Sequence, residues 1–184
     1  KVIMRQLPGN LFLIFIDHVP NNVLSYFTLH AIAFCDAAEV FIFISGYAAG
    51  LVYDQAWQRH GAVYCTARIW QRTWQLYVTH IFLFVIFTAA VSYTVSRFSN
   101  PMYSEEMQVG QFLVEPHVTI VKALLLQFQP TFLDILPLYI VLLGTFPIVM
   151  LLLDRHRLLV LVPAAALYAA VQQVEGLELP LYPE

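Results

Sequence analysis

Charged side chains are scarce in this 184-residue chain: they make up 11% of its residues. A soluble domain carries about 25%. Hydrophobic residues account for 60% and aromatic residues for 15%. This is too little charge to cover the surface of a soluble globular domain, which excludes a soluble globular protein. The 9 basic residues are outnumbered by 12 acidic ones, for a net charge of -3. We therefore expect a membrane protein surrounded by lipid, without a nucleic-acid partner.

Cysteine is also rare, with only Cys35 and Cys65 in the chain. They fall on opposite sides of the predicted bilayer, which excludes a disulfide bond between them. No pair among the 6 histidines and the acidic residues has the spacing of a known metal-binding motif. The sequence thus predicts no metal site, and we expect no bound cofactor.

Long apolar runs dominate the chain instead. A membrane-spanning helix needs about 20 mostly apolar residues, and five segments qualify: 8–29, 36–55, 73–96, 130–153 and 157–174. The stretch 109–127 contains Glu115, Pro116, His117 and Lys122, and is better explained as an interfacial or re-entrant helix. No run alternates with period two, so strands are not expected. The sequence predicts an all-α, polytopic transmembrane helix bundle of about five spans plus one interfacial helix.

Basic residues are unevenly distributed between the predicted loops. Cytoplasmic loops of membrane proteins carry an excess of Lys and Arg. With a cytoplasmic N-terminus, only Arg97 and Lys122 lie outside, and the other basic residues lie inside: Lys1, Arg5, Arg59, Arg68, Arg72, Arg155 and Arg157. This asymmetry predicts a multi-pass protein whose N-terminus is cytoplasmic.

Two ionisable residues, Asp17 and His18, interrupt the first apolar run just before Pro20. Each such group costs on the order of 3 kcal/mol in the membrane, so it should be paired and buried among helices. Adjacent helical residues point about 100° apart, so this pair needs other partners or a locally broken helix. An imidazole at this depth can act as a general base, and a nearby carboxylate can fix its tautomer. His18 is therefore a candidate catalytic base, with a packing role as the alternative.

A polar stripe is predicted along the third span. Arg68, Arg72, Gln75 and Thr79 are spaced so that they fall within about 60° of one another on a helix. Two arginines one turn apart suit phosphate groups, although snorkelling to the interface explains both without a ligand. We take Arg68, Arg72 and Gln75 as candidate ligand-binding residues. His80 lies about 80° from Arg72, off the stripe, and its position indicates no more than a buried hydrogen-bonding residue.

Asp134 is the acidic residue of the fourth span. It lies four residues after Pro130 and three before Pro137, at the predicted outer end of the helix. It either caps backbone N–H groups at the helix start or faces the same cavity as His18. Both interpretations remain open.

Four blocks of the chain, in this order, closely resemble the OpgC family: "IFIDHVPNNVLSYFT", "DAAEVFIFISGY", "RTWQLYVTHIFLF" and "QPTFLDILPLYIVLL". They cover most of residues 11–143. OpgC proteins succinylate osmoregulated periplasmic glucans and are related to a wider group of integral-membrane acyltransferases. The resemblance implies an enzyme of the bacterial inner membrane that transfers a succinyl group from succinyl-CoA to hydroxyls of a periplasmic glucan.

The resemblance also implies roles for individual residues. His18 corresponds to the first-helix histidine that serves as catalytic base. Our own expectation is that Asp17 or Asp134 orients its ring. In the wider group an arginine precedes this histidine by eleven positions, where this chain has Leu7.

The arginine pair of the wider group's third helix, Arg-x-x-Arg, corresponds to Arg68 and Arg72, which are one residue further apart here. We expect CoA phosphates to bind near these two arginines. Acyl transfer also needs hydrogen-bond donors for the oxyanion, and the candidates are Ser45, Gln75 and Thr79.

Members of the family are longer than this chain, which begins with Lys1 rather than Met. We expect residues 1–184 to be the N-terminal part of a single membrane acyltransferase domain, inactive by itself. Two alternatives remain. One is an O-acetyltransferase that uses acetyl-CoA and another envelope polysaccharide as acceptor. The other is a non-enzymatic transporter or scaffold; a transporter should show an internal repeat, and none is evident in these residues.

Overall fold

The computed structural model describes residue 23 and residues 37–98, 109–130 and 133–173. These ranges form α-helices and contain no β-strand, which confirms the all-α prediction. The helices are α1 (Ala37–His60), α2 (Ala62–Phe98), α3 (Gly110–Val114), α4 (Pro116–Leu124), α5 (Ile135–Arg155) and α6 (Leu158–Gln173). The chain divides into two compact units, Lys1–Cys65 and Thr66–Glu184.

Two of the described helices, α2 and α5, are long and apolar enough to cross a membrane. α2 contains the predicted span 73–96, and α5 covers residues 135–153 of the predicted span 130–153. α6 is apolar but has only 16 residues, and α1 is not among the candidate spans. The predicted span 8–29 lies outside the described residues. The structure thus supports two of the five predicted spans. The segment predicted to be interfacial forms α3 and α4, with 5 and 9 residues, both too short to cross a bilayer.

The length of α2 exceeds the thickness of a membrane. Its 37 residues extend roughly 55 Å at about 1.5 Å per residue, whereas the hydrocarbon core is about 30 Å thick. Even at a tilt of about 40°, the upper end of the usual range, the helix is longer than that core. If α2 crosses a membrane, part of it therefore extends beyond the hydrocarbon. The sequence placed the start of this element at residue 73 because apolarity marks the span, whereas the backbone is already helical from Ala62.

Gly61 separates α1 from α2. Its φ of +82° lies in the left-handed region, and its N–H donates to the carbonyl oxygen of Trp57 at 2.9 Å. This is the hydrogen bond of a left-handed helix C-cap. Beyond the turn, the buried free thiol of Cys65 donates to the carbonyl oxygen of Tyr53 at 3.4 Å. The absence of a side chain at Gly61 therefore ends α1 and allows the chain to start α2 at once.

The substitution Gly61→Ala is expected to lower the free energy of unfolding by about 1 kcal/mol, because alanine adopts positive φ poorly. A Cβ there meets nothing within 4 Å, so the cost is one of backbone conformation. Gly50→Ala is the matched control. Gly50 lies inside α1 with equally open surroundings, and alanine in a helix is favoured over glycine by up to about 1 kcal/mol. Unfolding of the detergent-solubilised variants should show shifts of opposite sign; shifts of the same sign would contradict the capping role.

The second unit has an aromatic core. Phe84 of α2 packs with Ala123 of α4 and with Phe128 and Leu133 of the α4–α5 connection. Its ring makes edge-to-face contacts with Phe112 and Phe128, with centroids 6.2 and 5.9 Å apart. Such pairs contribute about 0.5–1.5 kcal/mol beyond area burial. These contacts hold α3, α4 and the connection against the middle of α2.

Candidate functional site

The predicted catalytic base His18 and its neighbour Asp17 lie outside the described residues, so their roles remain predictions. Asp134 lies at the N-cap position of α5 with an exposed side chain. This side chain makes no capping hydrogen bond to the helix start. The capping interpretation therefore gains no support. A catalytic role for Asp134 remains a prediction.

The three predicted ligand-binding residues lie on one exposed face of α2. Arg68, Arg72 and Gln75 all have exposed side chains. An Nη of Arg72 donates to Oε1 of Gln75 at 3.5 Å, a long contact for a charged donor. Within the described residues the amide nitrogen of Gln75 has no hydrogen-bond acceptor. Arg72 and Gln75 therefore retain donors that an anionic ligand can use.

Arg72 precedes Thr73, which lines a groove between α2 and α5. A cationic residue is therefore the direct neighbour of a groove residue in the chain.

The groove is open and has a volume of about 450 Å³. Its lining residues are mainly aromatic or small: Trp70, Thr73, Trp74, Tyr77, Ile140 and Gly144. The Trp74 and Tyr77 rings stack with centroids 5.5 Å apart and an interplanar angle of 26°. The Trp70 indole donates to the carbonyl oxygen of Gly144 at 3.4 Å, and the Thr73 hydroxyl donates to that of Ile69 at 3.0 Å. Since these polar groups are engaged, the walls suit an apolar or aromatic part of a ligand.

The three candidate oxyanion donors differ in availability. The Thr79 hydroxyl donates its one proton to the carbonyl oxygen of Gln75 at 2.8 Å, a common pattern for helical threonine. Ser45 is buried, with 7% of its surface exposed. Gln75 is exposed, and its amide nitrogen has no acceptor in the part of the chain that the structure describes. The Thr79 hydroxyl is therefore not a free donor in this structure.

The surroundings of His80 could not be predicted from residue spacing in the sequence. It is fully buried, as predicted, but neither ring nitrogen has a hydrogen-bond partner within the described residues. Buried polar side chains almost always have a partner, and an unsatisfied one costs about 1–3 kcal/mol. Ser92 Oγ and Gln111 Oε1 are also buried and unpaired, but each of these residues is only half-buried. The one signal in the sequence is that His80 lies one turn from both Tyr77 and Phe84, on the aromatic face of α2.

No group of three or more His, Cys, Asp or Glu side chains within the described ranges can hold a metal ion.

A family model described as "OpgC protein" matches residues 9–184. No curated protein and no solved structure matches the chain. OpgC membership indicates an acyltransferase-type function. Because the match extends over almost all of its residues, the chain belongs to the OpgC family.

Proposed function

We propose that this protein is a membrane acyltransferase of the bacterial inner membrane that moves a succinyl group from succinyl-CoA to hydroxyl groups of a periplasmic glucan. The observation that carries the proposal is the family match over residues 9–184. The contacts of α2 and α5 support it, because they combine a cationic exposed face with an aromatic groove.

The donor CoA contains both an anionic and a less polar part, and α2 offers a surface for each. The phosphates bind at Arg68 and Arg72, which lie one turn apart on the exposed face. The groove lined by Trp74 and Ile140 accepts the pantetheine arm. The part of α2 that lies outside the hydrocarbon gives a water-soluble donor access to these residues.

In the transfer step, a glucan hydroxyl oxygen attacks the thioester carbonyl carbon. His18, oriented by Asp17 or Asp134, accepts the hydroxyl proton. The new C–O bond forms, the C–S bond breaks, and the proton passes to the departing thiolate to give CoA. Hydrogen-bond donors stabilise the oxyanion that develops on the carbonyl oxygen.

The test is a transfer assay on membranes that contain the full-length protein. Succinyl-CoA labelled in the succinyl group and purified periplasmic glucan are expected to give labelled glucan, and membranes without the protein should give none. Labelled acetyl-CoA in a parallel reaction tests the alternative donor. Label from acetyl-CoA alone would identify an O-acetyltransferase. Absence of label from both donors would overturn the proposal in favour of a transporter or scaffold.

Arg72→Gln is expected to raise the KM for succinyl-CoA about tenfold or more, because a hydrogen bond to a charged group contributes about 1.5–3 kcal/mol. The KM of Arg72→Lys should lie between those of Arg72→Gln and the unmodified protein, because lysine keeps the charge but lacks the planar guanidinium group. The matched control is Arg97→Gln, an exposed arginine in the last turn of the same helix, which should leave the KM unchanged. Equal KM values for Arg72→Gln and the unmodified protein would remove Arg72 from the donor site.

A further inference from the structure

The C-terminal half of α4 carries an exposed apolar surface. The side chains that form it are between 45% and 62% exposed: Ile120, Val121, Leu124 and Leu125. Thr119 and Ala123, on the other side of the same turns, are buried, so one side of the helix packs inward and the other faces outward. A contiguous exposed apolar surface marks a site of contact with a protein or a membrane. We call residues 120–125 the α4 tip.

One charged residue, Lys122, lies within the α4 tip. It is half-buried and is not without a partner, as an ionisable residue in hydrocarbon requires. Glu115 and His117 lie at the opposite end of α4, roughly 10 Å or more from Leu124 along the helix axis. The exposed side chains of the α4 tip are therefore all apolar.

The backbone of the α4 tip is satisfied without water. The last four carbonyl oxygens of an α-helix have no partner within the helix. In α4, the carbonyl oxygens of residues 121–123 accept hydrogen bonds from the N–H groups of residues 125–128, at 2.8–3.2 Å. The carbonyl oxygen of Leu124 accepts a hydrogen bond from the hydroxyl of Tyr77 on α2, at 2.9 Å. Backbone groups in hydrocarbon must be paired with the protein in this way, because no water is present to replace it.

Leu126 carries the chain out of the α4 tip. Its φ of +61° lies in the left-handed region, where glycine or asparagine usually follows a helix. Its carbonyl oxygen accepts a hydrogen bond from Nε2 of Gln129 at 3.2 Å. The position that commonly carries a small or polar residue at a hydrated helix end therefore carries an apolar one here, and its backbone acceptor is also paired.

The contacts of the α4 tip with α2 place it level with the predicted span 73–96. Ala123 packs in one cluster with Phe84, which is at the centre of that span, and Leu124 bonds to Tyr77. The span contains no Asp, Glu, Lys or Arg. Tyr77 and Phe84 are about 10 Å apart along the helix axis, which is less than half the thickness of the hydrocarbon, about 15 Å. In a membrane that α2 crosses, both residues therefore lie within the hydrocarbon.

We propose that the α4 tip lies in the hydrocarbon core of the membrane and that its exposed side chains contact lipid acyl chains. At the same depth α2 also exposes apolar side chains, those of Phe82, Val85 and Ile86, so lipid is a partner that both elements share. The segment 109–127, which the sequence predicts to be either interfacial or re-entrant, is then re-entrant. Its tip reaches the interior of the bilayer, although α4 is too short to cross it.

The experiment attaches a fluorescent thiol probe to Val121→Cys or Leu125→Cys in the full-length protein, with Cys35 and Cys65 replaced by alanine, in lipid vesicles. Lipids brominated in the middle of the acyl chain quench a probe in hydrocarbon, whereas iodide quenches a probe in water. Both probes should lose as much fluorescence to the brominated lipid as a probe at Val85→Cys does, and little to iodide. A probe at Arg97→Cys, in the last turn of α2, should lose more to iodide than these probes do.

Three results would overturn the proposal. Quenching of both tip probes by iodide alone would place the α4 tip in water and make the segment interfacial. Quenching by neither agent would show that another protein segment covers the tip. A probe at Val85→Cys that the brominated lipid does not quench would show that this part of α2 is not in hydrocarbon. None of these results depends on acyl transfer.

The hydrogen bond from Tyr77 allows a second test that needs no probe. Tyr77→Phe leaves the carbonyl oxygen of Leu124 without its donor, and in hydrocarbon no water can replace it. The midpoint of thermal unfolding in vesicles should therefore fall. Tyr93→Phe, which alters an exposed tyrosine of the same helix, is the matched control and should leave the midpoint unchanged. Equal midpoints for Tyr77→Phe and the unmodified protein would indicate a hydrated helix end and contradict the proposal.

Discussion

Phe84→Ala is expected to lower the free energy of unfolding by about 3–5 kcal/mol, the usual cost of deleting a buried aromatic ring. Phe84 is 3% exposed and makes edge-to-face contacts with both Phe112 and Phe128. The substitution removes both ring contacts and leaves a cavity between α2 and the α4–α5 connection. Unfolding of the detergent-solubilised protein by heat or denaturant measures the change.

Phe82→Ala is the control for this prediction. Phe82 lies two residues earlier on α2, and 63% of its side chain is exposed. Substitutions at such positions usually change stability by less than about 0.5 kcal/mol. If both variants are destabilised equally, the aromatic cluster around Phe84 does not form the core of the second unit.

His18→Ala is expected to lower the rate of acyl transfer by about 10²- to 10⁴-fold, the contribution typical of a general base. The loss should appear in kcat, while the protein still inserts into the membrane in normal amount. The label on the glucan measures it. His117→Ala is a suitable control, because His117 is an exposed histidine of α4 for which no catalytic role is proposed. Transfer at the unmodified rate by His18→Ala would make His18 a packing residue.

The helical class was predictable because long apolar runs without period-two alternation leave few alternatives. The cores of α2 and α5 coincide with predicted spans for the same reason. The start of α2 was not predictable from apolarity. Residues around Arg68 are too polar for the hydrocarbon, yet they continue the helix, since alanine, arginine and glutamine are good helix formers. Apolarity therefore predicts the part of a helix that can span the membrane, but not the residue at which the helix begins.

The features of the candidate site also differ in whether the sequence could predict them. The common face of Arg68, Arg72 and Gln75 follows from helical geometry and needed only their spacing. The aromatic groove depends on Trp70 meeting Gly144, 74 residues away in the chain, and no local pattern encodes that contact. The unpaired state of His80 is likewise a property of its tertiary surroundings.

The composition of α2 has a consequence for motion. Its 37 residues include no glycine and no proline, so its hydrogen-bond ladder has none of the usual causes of a kink. The facing helix α5 contains Gly144 on the groove wall and Pro147 one turn later, and a proline in a helix interior removes one backbone hydrogen bond. Of the two helices that line the groove, α2 is therefore expected to be the more rigid. Any widening of the groove is expected to come from bending of α5 in its Gly144–Pro147 segment.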